Sequence, residues 1–149
     1  MTNNSVKSMQ VLFKGIVHPW LCDAMGHLNT RHYMAMFDDA SYHMLSEASD
    51  WDLSSEAWKN KGWADVSHQI DYKNELHAGT LVEVTGGIRE IGRSSFTSFY
   101  SLRNKMTGVE AATMLAKVVF FDLQARKSMP ITDRMREQMK TLLLETTAG

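Results

Sequence analysis

The sequence predicts an α+β domain in which one curved antiparallel sheet of about five strands wraps a single long helix and a second helix closes the chain. Three observations predict it. Tyr33, Met36, Phe37, Ala40 and Met44 recur at three- and four-residue steps, one apolar stripe over roughly residues 30–48. Segments of strand character, separated by short turns, follow that stripe. A last stripe of Met135, Met139 and Leu142 ends the chain. A long helix in a chain of 149 residues is hidden from water only if a sheet curls around it.

Each element has its own reason. In "VLFKGIVHP", residues 11–19, alternation is partial, and Pro19 ends the ladder because it has no N–H to donate. The loop "CDAMGHLNTRHY" leads into the long helix, predicted from Thr30 to Ala48, with Asn29 or Thr30 placed to cap its first exposed amides. Ser54-Ser55-Glu56 predicts a short second helix that Gly62 ends. "WADVSHQIDYK" then alternates at Val66, His68, Ile70 and Tyr72. "TLVEVTGGIREI", "SSFTSFYSLRN" and "VEAATMLAKVVFFDL" follow, parted by turns at Gly92 and Thr107-Gly108, so they are expected to pair as an antiparallel meander. Gly86-Gly87, inside a strand pattern, predicts a bulge. Pro130 is expected to open the last helix, where its missing N–H costs little. The open edges of such a sheet favour pairing with a second subunit, as a homodimer or homotetramer.

Composition narrows the function classes. With 44% hydrophobic residues, residues 1–149 read as one domain with a sizeable core. Sixteen basic residues against 17 acidic ones offer no excess for nucleic acid. The single cysteine, Cys22, excludes an intrachain disulfide and a four-cysteine zinc site, and it reads as a small buried filler. The start "MTNNSVKSMQVLFKG" lacks the apolar core of a signal peptide, and no stretch approaches the roughly 20 apolar residues of a membrane span. A cytoplasmic protein with neither membrane nor nucleic acid as partner is expected. Asp39 and His43 lie four apart on one helix face, which suits an ion pair as well as a metal. No HExxH is present, and neither a metal nor a cofactor is expected.

The chemistry concentrates in the loop before the helix. Within eight positions it carries Cys22, Asp23, Gly26, His27 and Asn29. The stretch "VHPWLCDAMGHLNTRHYMAMFDDA" resembles the hotdog-fold thioesterases, in the branch of 4-hydroxybenzoyl-CoA thioesterase and its small acyl-CoA thioesterase relatives. That branch typically carries an aspartate, Gly-His or Gly followed by an aliphatic residue, Asn, and then a helix with Tyr and an acid before Ala. Here these are Asp23, Gly26, His27, Asn29, Tyr33, Asp38 and Ala40. "IREIGRSSFTSFYSL" and "VVFFDLQARKSMPI" resemble later segments of the family, so the likeness covers about residues 10–140.

The resemblance implies the hotdog fold, thioester hydrolysis and an acyl-CoA or acyl carrier protein substrate, with the family's catalytic aspartate at Asp23. It also implies an oxyanion hole from an amide near Thr30, with Gly26 allowing close approach. A helix start supplies unpaired N–H groups and the positive end of a dipole, and one such donor is typically worth about 3 kcal/mol in an acyl-transfer transition state. Asp23 either attacks the carbonyl or deprotonates water. His27 orients the substrate or water or protonates the leaving thiolate. Asn29 fixes Asp23 or caps the helix. Met25, Tyr33 and Phe37 are expected to shape the acyl pocket. Arg89, Arg93 and Arg126 are candidates for the phosphates of coenzyme A, and the tryptophans for an acyl pocket. Two other readings compete. A hotdog hydratase or dehydratase usually pairs Asp and His five apart around Asn-Pro, which this loop lacks. A non-catalytic acyl-CoA-binding module is expected to lack the loop carboxylate or to carry an additional domain.

Overall fold

The structure, a computed structural model, describes residues 9–145. In chain order the elements are β1 (Gln10–Ile16), a 3-10 turn (Pro19–Leu21), α1 (Thr30–Ser49), a second 3-10 turn (Glu56–Trp58), β2 (Lys61–Tyr72), β3 (Leu81–Ile91), β4 (Ser95–Asn104), β5 (Glu110–Asp122), the two-residue β6 (Lys127–Ser128) and α2 (Asp133–Lys140). The strands run β1-β3-β4-β5-β2, every pairing is antiparallel, and β6 adds to the end of β5. The sheet curls as a half-barrel around α1, the hotdog arrangement.

The apolar stripe of α1 is what the sheet covers. Phe37, Ala40, Met44 and Ala48 are all 0% exposed, and Tyr33 and Met36 are nearly so. Fully burying one such large side chain contributes about 1.5–3 kcal/mol, so this face alone anchors the helix. Asn29 starts α1 by accepting the Arg31 amide at 3.2 Å. Asp50 ends it in the left-handed region, φ 54. α2 packs its one buried residue, Met139, into the same core.

Four local expectations are corrected. The first strand stops at Ile16, and Pro19 opens a 3-10 turn instead of ending the ladder, because the Val17 amide turns to the Thr80 carbonyl at 2.9 Å. The short second helix is only the single turn Glu56–Trp58, capped by Ser55. α2 begins at Asp133 rather than Pro130. The Ile131 amide is held by the Arg93 carbonyl at 2.8 Å, which keeps that segment out of the helix, and the Thr132 side chain caps it by accepting from Met135. Gly86-Gly87 is not a bulge; the register shift falls between Ile88 and Glu90. The glycines serve close approach instead. A Cβ on Gly86 would stand 2.7 Å from the Tyr100 ring, and one on Gly87 2.5 Å from Leu144.

Two edges remain. β1 is packed by α1, whereas β2, among the described residues, pairs only with β5 and carries five consecutive exposed residues, Asp65 to Gln69.

Candidate active site

The loop ahead of α1 is built by its own polar groups. The Asp23 amide donates to the His27 carbonyl at 2.8 Å, and the Gly26 amide to the Asp23 carbonyl at 3.0 Å. Closing a turn this tight needs a positive φ, and Gly26 supplies it at +83. Asp23 Oδ1 accepts from the Met25 amide at 2.8 Å and the His27 amide at 3.2 Å. The rim is then tied down on two sides, Leu28 N–H to the Leu76 carbonyl at 2.7 Å and Asn29 N–H to the Leu21 carbonyl at 2.9 Å.

This turn leaves the half-buried Asp23 on the wall of a cavity of about 310 Å3, with Met25, His27, Leu28, Thr30 and Tyr33 on its own side and Tyr72, Lys73, Asn74 and Glu75 facing them. Thr30 is the first residue of α1, so the cavity opens onto the helix's positive end. Among the described residues, none accepts the Thr30 amide, which leaves that N–H for another acceptor.

The walls are electrostatically sorted. Burial first, then the negative potential of Tyr72, Glu75 and Asp23, pushes the Tyr33 phenol above its usual range, so it is a neutral hydrogen-bonding group. Its ring meets Tyr72 edge-on at 5.0 Å. Lys73 is drawn aside to Glu110 at 2.7 Å. Burial pushes the Glu110 carboxyl up, but the hydrogen bonds from Lys73 and Ser101 and the Lys73 charge outweigh it and hold the group low. His27 Nε2 lies 3.1 Å from Glu75 Oε2, and the His77 ring stands edge-on to His27 at 4.8 Å.

Asp23, Met25, His27, Thr30 and Tyr33 therefore meet around one cavity. Gly26 shapes the turn without lining it, and Asn29 caps α1. Phe37 is a correction. It is fully buried against Tyr100 in the core, one helical turn below Tyr33, and cannot touch an acyl group in this cavity. None of the three arginines lines this cavity. Arg89 lies over the Phe99 ring at 4.7 Å on the exposed face of β3, and Arg126 over Phe121 at 5.3 Å. Arg93 is exposed on the β3–β4 turn, where its carbonyl holds Ile131. Cys22 is half-buried, its thiol 3.7 Å from the His18 carbonyl.

A second concavity, a trough of about 220 Å3, runs along the middle of α1. Tyr42, Leu45, Trp51, Trp63, Phe121 and Leu123 form its apolar walls, and Asp38 and Asp65 stand among them. Trp63 is held by an indole N–H donated to Ser49 Oγ at 3.2 Å and by Phe96 at 5.0 Å. Burial, then the charges of Asp65 and Asp39, push the Asp38 carboxyl up, against a smaller opposing pull from His68. Sequence reasoning missed the wall Tyr72 to Glu75, together with Asp65 and His77. No spacing signal points to Tyr72–Glu75, because the Leu28–Leu76 bond that brings this segment over the loop is a tertiary contact.

Several solved structures share this fold. A predicted thioesterase from Bacillus stearothermophilus superposes with a TM-score of 0.77 at 23% identity, over 91% of this chain and 98% of that one. A 1,4-dihydroxy-2-naphthoyl-CoA thioesterase from Synechocystis gives 0.74 at 18%, over 86% and 93%. A hypothetical protein from Staphylococcus aureus, solved in complex with CoA, gives 0.81 at 17%, over 95% and 90%. No curated protein matches the sequence. The family model of the thioesterase-like superfamily matches residues 17–139, from just before the Asp23 loop to α2, and the chain belongs to that superfamily.

Proposed function

We propose that the protein is an acyl-CoA thioesterase that hydrolyses its substrate to a carboxylic acid and coenzyme A, with Asp23 as the reacting carboxylate. The observation that carries this reading is that Asp23 and the first turn of α1 open onto one cavity. A thioester carbonyl whose oxygen points to the Thr30 amide is polarised by the N–H and by the helix dipole. Asp23 then adds to the carbon and forms an anhydride that water cleaves, or it takes a proton from a water that adds instead. Either way the C–S bond breaks and the thiolate leaves with the electron pair, to be protonated. Held through Oδ1 by two amides, Asp23 does not swing to find its target. Tyr33 and His27 position the carbonyl and the leaving sulfur.

The proposed active unit is a homodimer joined through β2. A twelve-residue edge strand with a central exposed row is a template for antiparallel self-pairing, which is two-fold by construction. Pairing about the centre of that row sets the Trp63–Asp65 end of one protomer beside the Ile70–Tyr72 end of the other. The trough of one protomer then opens beside the Asp23 cavity of its partner, so that the acyl group enters the aromatic trough while the carbonyl stays at the helix start.

A hydrolysis screen over short, long, aromatic and cationic acyl-CoAs, run with wild type and Asp23→Asn, tests the reading. Asn keeps the acceptor that closes the loop and removes the charge. Turnover is expected to fall at least about a hundredfold. Near-normal turnover refutes the role of Asp23. One observation favours a second reading, an acyl-CoA-binding module: the Oδ1 bonds to Met25 and His27 are also those of a residue that only shapes a turn. Saturable CoA binding with no turnover of any ester in the screen would select it.

A further inference from the structure

His27 meets Glu75 and His77, two residues that the proposed hydrolysis does not use, in one cluster. Their ligand atoms all lie within 4.8 Å of one another, and His27 Nε2 stands 3.1 Å from Glu75 Oε2. Backbone pairing builds the cluster. His27 and His77 face each other in an antiparallel bridge, and the Leu28–Leu76 hydrogen bond beside it sets the register. In an extended segment side chains alternate, so Glu75 and His77 project to one side and His27 meets them from the neighbouring segment. The backbone of His27 is itself pinned at both its N–H and its carbonyl by Asp23.

We propose that His27, Glu75 and His77 bind a divalent transition-metal ion of the Zn2+ class at the mouth of the Asp23 cavity. Two ligands about 2.0–2.1 Å from a common zinc ion at near-tetrahedral angles stand roughly 3.3 Å apart, close to the 3.1 Å between His27 and Glu75. His77 and Glu75 are exposed, so bringing the third ligand in takes a side-chain rotation on the surface and no change in the core. Two imidazoles and one carboxylate suit Zn2+, Co2+ and Ni2+, whereas Mg2+ and Ca2+ prefer oxygen ligands throughout. Three protein ligands leave a coordination position for water. A seated ion ties the loop 22–29 to the segment 73–77, and it takes His27 from the cavity wall into a metal sphere. The metal site stands whether or not the cavity cleaves thioesters.

The test uses the full chain without an affinity tag, stripped of metal by a chelator and titrated with Co2+ and then Zn2+. Expected are one equivalent of Co2+ with the strong visible absorption of four- or five-coordinate cobalt, its bleaching by Zn2+, and a Tm that rises with metal. Loss of an outer-shell partner already lowers metal affinity about 10–100-fold, so His77→Ala and Glu75→Gln are each expected to weaken Zn2+ binding at least tenfold. Both residues are exposed, so the metal-free Tm of the variants should match wild type. Failure to take up Co2+ overturns the proposal, and so does equal binding by wild type and His77→Ala, which would place the ion elsewhere.

Discussion

Asp23 and Asp38 are both carboxylates beside α1, yet the two regions that hold them treat negative charge in opposite ways. Around Asp23 the chain offers backbone amides, two already bonded to Oδ1 and one more at the nearby helix start. Around Asp38 it offers tryptophan, leucine and phenylalanine together with a second acid, Asp65, and the carboxyl is pushed towards its neutral form. Backbone amides fix a carboxylate in one orientation. The second region is an apolar trough with two carboxylates in its wall. The contrast teaches that one protomer keeps the proposed reacting carboxylate and the proposed acyl trough apart, with the open β2 edge between them.

The sharpest way to break the division is Asp23→Asn, already described, which removes the proposed reacting charge and leaves the trough intact. Next in size is Val66→Glu. Val66 is 55% exposed in the middle of the β2 row. Around a two-fold axis the substitution brings two new charges close together, so sedimentation should show monomers and turnover should fall about tenfold, because trough and Asp23 cavity no longer meet. Dimers with full turnover would show that this edge does not join the two regions.

Trp51→Ala addresses the trough alone. Trp51 lines it, half-buried, with Tyr42 at 5.3 Å. KM for the preferred acyl-CoA is expected to rise about tenfold while kcat changes little, the signature of binding lost equally from ground and transition states. A kcat loss with constant KM would instead place Trp51 near the reacting carbonyl.

Smallest is the effect of Asp38→Asn on stability. The folded Asp38 carboxyl is raised above its ordinary 3.8, so the folded state binds the proton more tightly than the unfolded one. That preference stabilises the fold fully below pH 3.8 and is lost as pH rises through the raised value. The variant should therefore be more stable than wild type at pH 7, by no more than about 1 kcal/mol, and the difference should vanish in acid. Urea melts at pH 7 and pH 3.5 measure it; a variant less stable at pH 7 would show that Asp38 holds a favourable ionic contact.

Legibility in the sequence followed the range of the interactions. The α1 stripe, the meander β3-β4-β5 and the crowded Asp23 loop were readable because each is a local pattern: a 3.6-residue period, short turns, or residues within eight positions of one another. Phe37 was misplaced because periodicity says that a helix face is apolar, not whether that face meets core or cavity. Gly86 and Gly87 were misread because the ring and leucine that approach them come from β4 and the C-terminal segment. The starts of the last strand-to-helix segment were misjudged because Arg93, far back in the chain, holds Ile131 extended.

By itself the sequence determined one helix to be covered, the strands to cover it and a loop crowded with polar and ionisable side chains ahead of that helix, since hydrophobic period and turn chemistry are written in neighbouring residues. Only the tertiary structure decided that Tyr72 to Glu75 closes over Asp23, that the aromatic trough lies apart from it, and that His77 reaches His27. Those juxtapositions depend on sheet curvature and on single backbone hydrogen bonds between distant segments, and no local spacing encodes them.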